Sequence, residues 1–228
     1  MLTKWSFIVL AAAAPIAHAD STCAWSTYES RLIAASDADQ DSRKELGRLF
    51  TEFMTRRRSD GIATEPGRPA ATEDERKQWV DASRRIAAAA TSGQQLVVPL
   101  LEQCGWPDRN ELSSKAVDAA WLIVQHASLD IQLKIAPIAD KAVSAGKLPP
   151  QQFALLVDRI RMRQGQPQRY GSQLFTTVDG NIEKAILYKV EDEENLDTRR
   201  ASVGLPPICD YIRGFTEYKA GDVYARCK

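Results

Sequence analysis

Histidine is nearly absent from this chain. Its 228 residues include two, His18 and His126, and the first lies in a stretch expected to be removed. A catalytic zinc site usually takes two or three histidines, so one remaining imidazole argues against a mononuclear zinc enzyme, and no metal or other cofactor is expected. Any mechanism that pairs a nucleophile with histidine must run through His126. None of the four cysteines forms a Cys-x-x-Cys pair, which leaves no redox motif and no zinc knuckle. Charge of either sign is not in excess, with 30 Lys and Arg against 30 Asp and Glu, so neither a nucleic-acid footprint nor a polybasic membrane patch is implied. Arg56-Arg57-Arg58 is the one cationic run and reads as a solvated helix end. The stretch Asp37-Ala38-Asp39-Gln40-Asp41 superficially suggests a calcium loop. It lacks the glycine and glutamate such a loop needs at its sixth and twelfth positions, which are Ser42 and Arg48 here. No phosphate loop and no strand–turn–nucleophile elbow is present.

What is present begins with a leader. Lys4 is followed by an uncharged run from Trp5 to Ala14, then Pro15 and Ala17-His18-Ala19. A basic start, a short apolar run and a small-x-small site describe a cleaved export signal over residues 1–19. The run is too short to cross a bilayer as a helix, and no later segment is long and apolar enough to do so. Stable membrane insertion after cleavage is not expected, and the destination is the periplasm or the outside of the cell. Residues 20–228 then read as a single helical domain. They comprise N-terminal helices over 20–110 and a motif-bearing part over 111–228 with a hairpin at 173–190.

An even number of cysteines in an exported chain favours disulfides. Cys23, Cys104, Cys209 and Cys227 allow three connectivities. Cys209 with Cys227, which bracket the last segment, and Cys23 with Cys104 is the preferred one.

The expected fold is mainly α, an irregular helical bundle with one β-hairpin near the C-terminal third. Helical periodicity runs from about Ala24 to Arg57, with Leu46, Leu49, Phe50 and Phe53 on one stripe. Gly61, Pro66, Gly67 and Pro69 mark an exposed loop. Thr72 and Glu75 form a capping box that opens a helix to about Ala90. Gly93 is read as an interruption, followed by a short apolar helix from Gln95 to Gln103. Further helices start at Ser113 or Ser114, at Ser128 and at Pro149-Pro150, with stops near Ala127, at Gly146 and at Gly165. Short connections predict antiparallel stacking of these three. Gln173–Val178 and Ile182–Val190 alternate around Asp179-Gly180-Asn181, a hairpin signal. A short helix at Leu196–Val203 and a last one from Ile208 to Tyr218 complete the reading.

Polar groups gather where packing alone would not put them. Asp118, Trp121 and Gln125 share one helix face, with His126 beside Gln125. Asp158-Arg159 interrupts the apolar Phe153–Val157. The run Gly165-Gln166-Pro167-Gln168-Arg169-Tyr170-Gly171-Ser172-Gln173 is rich in hydrogen-bonding groups, and Asp197-Thr198-Arg199-Arg200 adds two guanidiniums. His126 and Asp158 are the candidate catalytic pair, a base and the carboxylate that orients it. Gln125, Arg159, Gln168, Tyr170, Ser172, Gln173 and Arg200 are the candidate ligand-binding groups. Plain structural readings stand beside these: a helix-end histidine on the helix dipole, a structural ion-pair network, a turn that sets up the hairpin, and Trp106 and Trp121 as core aromatics.

Trp121-Leu122-Ile123-Val124-Gln125-His126-Ala127, Asp158-Arg159, Gln168-x-Tyr170-Gly171-Ser172-Gln173 and Asp197-x-x-Arg200 together resemble an uncharacterised bacterial family known only as a domain of unknown function. Asp39-Gln40-x-x-Arg43 and Gly105-Trp106-Pro107 fit the same pattern. The usual Tyr-Gly-Thr-Gln is Tyr-Gly-Ser-Gln here, which keeps the hydroxyl. The resemblance implies a shared helical fold and polar cluster, and supplies no activity. The leading expectation is a binding module for a small polar or anionic ligand. The alternatives are a hydrolase or group-transfer enzyme with His126 as general base, and an envelope protein-interaction or immunity-type factor. The partner is accordingly unknown: a small anionic ligand or an envelope protein.

Overall fold

The computed structural model describes residues 23–59, 71–179, 182–215 and 219–227. The expected leader, the loop after residue 59 and the tip of the hairpin lie outside them. Among the described residues there are eight α-helices and one two-stranded antiparallel sheet, as the sequence pattern predicted.

After a 3-10 turn at Trp25–Tyr28, α1 (Glu29–Ser59) and α2 (Glu73–Cys104) form the longest elements. They run antiparallel, because Cys23 is bonded to Cys104, Glu45 pairs with Arg85, and Arg56 pairs with Glu75. Thr72 opens α2 with both halves of the capping box in place. The expected break at Gly93 is not there: α2 continues through Gly93 and Pro99 as one helix. Glycine in a helix interior costs about 1 kcal/mol against alanine, and here close packing offsets it. A Cβ on buried Gly93 would stand 3.2 Å from an Ile123 carbon, so the glycine lets the next helix approach.

That helix, α3 (Ser114–His126), is capped by the Ser113 hydroxyl, which accepts from the Ala116 amide. It is followed by α4 (Leu129–Ser144) and α5 (Pro150–Arg163). The face read as Asp118, Trp121 and Gln125 lies along α5. Asp118 accepts from the Gln152 side chain at 3.0 Å, the Trp121 indole donates to the Gln152 carbonyl at 3.1 Å, and the Gln125 amide donates to the Leu155 carbonyl at 3.3 Å. Leu32, Val97, Leu101, Val117, Ile135 and Leu156 belong to the core these five helices enclose. Trp106 is buried in it and Trp121 packs against it.

A second, smaller core holds the C-terminal part. Strands β1 (Leu174–Asp179) and β2 (Ile182–Leu187) pair from Leu174 with Leu187 to Asp179 with Ile182. A lone hairpin is marginal in water. This one contributes Ala185 and Leu187 to a cluster with Leu196 of α6 (Leu196–Ser202), Ile208 and Ile212 of α7 (Ile208–Arg213), and Val223 of α8 (Ala220–Val223). Helix α7 ends at Arg213, earlier than the expected Tyr218, with Gly214 as its cap; residues 216–218 lie outside the described set. The Cys209–Cys227 pair ties this end together. Among the described residues no helix is long and apolar enough to cross a membrane.

Candidate functional site

The sequence-predicted residues divide into two neighbourhoods, and α5 supplies both. Its successive residues Asp158 and Arg159 belong to different ones.

Asp158 is fully buried and faces the loop that follows α5. Its carboxylate accepts from the backbone amides of Arg169 at 2.7 Å, Tyr170 at 3.0 Å and Ser172 at 2.8 Å. Gly171 makes this wrap possible: its φ is +65°, and a Cβ there would stand 3.3 Å from Ile208. Burial pushes the Asp158 carboxyl above its ordinary value, against the pull of those amides. The loop's glutamines act as extra backbone. Gln168, also fully buried, donates its side-chain amide to the Gln173 and Tyr188 carbonyls and accepts from the Gln173 amide at 2.6 Å. The Gln173 side chain bonds the Ser172 hydroxyl at 3.0 Å. Arg200, with no exposed surface, donates to the Tyr170 and Pro206 carbonyls at 2.6 Å each and lies over the Tyr211 ring at 4.9 Å. Desolvation lowers its pKa from the ordinary guanidinium value. Asp158, Gln168, Ser172, Gln173 and Arg200 are thus brought together in a closed interior where backbone groups occupy them. Tyr170 stays half-buried, with Arg169 over its ring.

His126 belongs to the other neighbourhood, and the carboxylate on its ring is Asp39 of α1. His126 Nδ1 and Asp39 Oδ2 are 2.6 Å apart. Arg43, one turn along α1, holds Asp39 with two bonds, Nε to Oδ2 at 2.9 Å and a terminal nitrogen to Oδ1 at 3.0 Å. The Gln40 side-chain amide lies 3.3 Å from Asp39 Oδ2. Burial alone would raise the Asp39 carboxyl, but the bonds from His126 and Arg43 outweigh it and set the pKa at about 2. Because Asp39 is acceptor-only when ionised, Nδ1 must carry the proton. Nε2 has no hydrogen-bond partner among the described residues, and the imidazole keeps 15% of its surface exposed.

The end of α3 that carries His126 is held from two sides. Gln132 of α4, fully buried, donates to the Val124 and Gln125 carbonyls. Arg163 of α5 donates to the Ala127 carbonyl and to Gln132 Oε1. Carbonyls that a helix end leaves free are thereby satisfied. This also fixes a guanidinium one residue from His126.

Arg159 lies one turn before Arg163. It makes no hydrogen bond or ion pair with any described residue, and its Nε is buried without an acceptor. Desolvation and then repulsion from Arg163 and Arg43 lower its pKa to about 10. Arg163 is likewise lowered, by burial and by Arg43. Arg43 is joined to His126 through Asp39, Arg163 bonds the carbonyl of the residue after His126, and Arg159 lies one turn before Arg163, so three guanidiniums from α1 and α5 lie around the end of α3. The sequence pattern sets Asp39, Gln40 and Arg43 apart and does not mark Arg163. The i, i+4 spacing of Asp39 with Arg43 and of Arg159 with Arg163 is the signal that could have found them. Among the described residues no group of three or more His, Cys, Asp or Glu side chains is placed to hold a metal.

No curated protein and no solved structure matches the chain. A family model does match, over residues 80–223. That span includes His126, Arg159 and Arg163, whereas Asp39, Gln40 and Arg43 precede it. Since the match takes in more than half of the sequence, the chain belongs to DUF6624, a family of unknown function.

Proposed function

We propose that this protein is an exported binding module for a small anionic ligand, held by Arg43, Arg159 and Arg163 at the edge of His126. The observation that carries the reading is Arg159. A half-buried guanidinium with no acceptor, set beside two others, is costly to the apo fold, and an oxyanion would satisfy it with paired, charge-assisted hydrogen bonds. Gln125 precedes His126 at the end of α3 that Gln132 and Arg163 hold. Export is supported by the leader pattern of residues 1–19 and by the two cysteine pairs, and places the ligand in the periplasm or outside the cell.

Calorimetry and thermal shift with inorganic phosphate, sulfate and small dicarboxylates test the reading. A ligand at one hundred times its Kd adds about 2.7 kcal/mol of stability, or roughly 5–10 °C in Tm for a domain of this size. Arg159→Gln should abolish the shift without unfolding the protein. Equal shifts in wild type and Arg159→Gln would remove the site from this region.

A further inference from the structure

We infer that the His126–Asp39 pair is a general base that directs water onto a phosphoric monoester whose phosphoryl group is held by Arg43, Arg159 and Arg163. The inference rests on the anion-binding reading above and adds a reaction to it. Two independent features point the same way.

The first is the ring's orientation. Asp39 accepts the hydrogen bond from the His126 Nδ1–H at 2.6 Å and is itself fixed by the two-bonded Arg43. In the neutral ring this leaves Nε2 as the acceptor, and it is the nitrogen without a protein partner. A buried carboxylate that sets the tautomer and stabilises the imidazolium formed on proton uptake is what a histidine base requires. A histidine that served only to cap its helix would need neither the buried carboxylate nor the arginine behind it.

The second is charge. Arg43 is bonded to Asp39, Arg163 to the carbonyl of the residue after His126, and Arg159 lies one turn before Arg163, so three guanidiniums against the single carboxylate of Asp39 leave two positive charges with a neutral imidazole. A phosphomonoester carries about −1.5 to −2 near neutral pH, whereas a carboxylate carries one charge. A monoester dianion matches that charge where a monocarboxylate does not, and among dianions it also carries an ester bond for the base to act on, with oxygens that suit charge-assisted bonds from guanidiniums.

In the step, a water oxygen forms a bond to phosphorus while His126 Nε2 accepts one of its protons. The bond from phosphorus to the ester oxygen breaks, and that oxygen leaves with the electron pair. The imidazolium returns that proton to the leaving oxygen, directly or by way of solvent. One water is consumed, an alcohol and inorganic phosphate are formed, and the ring returns to its starting state. The arginines bind the charge that shifts onto the peripheral oxygens.

The test uses the full exported protein with its disulfides intact, p-nitrophenyl phosphate as substrate and inorganic phosphate as binding probe. Wild type should release p-nitrophenolate, with phosphate competing. His126→Gln should lower kcat by about 10²-fold or more, in the range of a lost general base, while changing phosphate affinity by less than about threefold. Asp39→Asn should lower kcat far more than it changes KM. Should that variant fail to fold, His126→Gln, at a partly exposed position, still decides the matter. Phosphate binding without turnover by wild type, or turnover that survives His126→Gln, overturns the inference and leaves the binding reading standing. Absence of phosphate binding removes the binding reading, and this inference with it.

Discussion

Two buried carboxylates, Asp158 of α5 and Asp39 of α1, are stabilised in opposite ways. Asp158 is surrounded by backbone amides of one loop, and Asp39 by the charged side chains of Arg43 and His126. The amides belong to a chain that cannot move away, so Asp158 ties the segment between α5 and the hairpin into one conformation. The side chains around Asp39 are individually free to exchange partners, and one of them keeps a nitrogen open to solvent. Burial wins at Asp158 and raises its pKa. At Asp39 the opposite charges win and lower it. One carboxylate therefore holds the architecture, and the other sets the properties of a partly exposed histidine.

The largest effect that tests this contrast is expected at Asp158. Asp158→Ala leaves the amides of Arg169, Tyr170 and Ser172 without an acceptor, and each buried unsatisfied group costs roughly 1–3 kcal/mol. A combined loss of about 4 kcal/mol, or roughly 10–15 °C in Tm, is expected by urea and thermal unfolding. A loss below about 1 kcal/mol would mean that the loop is ordered by something else.

Next come the cysteine pairs, which anchor one region each. Cys23–Cys104 spans 81 residues and Cys209–Cys227 spans 18. The chain-entropy account gives roughly 4.5 and 3 kcal/mol for closing loops of those lengths. Replacing each pair by serines should therefore destabilise the α1–α2 end somewhat more than the hairpin end, measured by urea unfolding of the two variants. The reverse order would show that the C-terminal core depends on its bridge beyond loop closure, as small cores do.

Most of the fold was legible because local rules and packing agree. The capping box at Thr72 and one of the two expected serine caps, Ser113, are in place, and the hairpin falls within 173–190, although its second strand ends at Leu187 and not at Val190. The interruption expected at Gly93 is absent because an isolated glycine means either a break or a close approach, and only Ile123, distant in sequence, decides between them. The polar segments were legible as a candidate site, but not which of them meet in space. Asp158 and Arg159 are adjacent in sequence, and nothing in a dipeptide reveals that one is wrapped by loop amides while the other has no acceptor. The carboxylate on His126 comes from 87 positions away. A single sequence contains no signal for that partner beyond the i, i+4 pairing of Asp39 with Arg43.

A smaller effect is expected from acid. Asp39 titrates at about 2 when folded, against 3.8 for an ordinary aspartate. Its contribution is complete above the unfolded value, and falls away as pH drops from about 4 through 2. The size is roughly 2 kcal/mol, since each tenfold change in proton affinity corresponds to about 1.4 kcal/mol. Asp158, with its pKa raised, has the opposite slope, because the folded state there binds the proton more tightly and acid favours it. In Asp39→Asn the fall in stability below pH 4 should therefore flatten or reverse, as read by urea midpoints at successive pH values. An unchanged acid limb would show that the His126–Asp39–Arg43 chain does not couple to folding.

The smallest effect on stability, and the sharpest separation of the two neighbourhoods, is expected at Arg159. Arg200 on the closed side donates Nε and one terminal nitrogen to backbone carbonyls and lies over an aromatic face, although its other terminal nitrogen is buried without an acceptor. Arg159 has no acceptor, is partly desolvated, and is repelled by Arg43 and Arg163. Removing its charge relieves a penalty and breaks no bond, so Arg159→Gln should leave urea stability within about 0.5 kcal/mol of wild type, the range of changes away from structural features. Arg200→Gln, by contrast, loses both carbonyl bonds in the interior and should be clearly destabilised. If Arg159→Gln were destabilised as much as Arg200→Gln, Arg159 would already be satisfied by the fold, and the positive charge needed to hold an anion beside His126 would not be free.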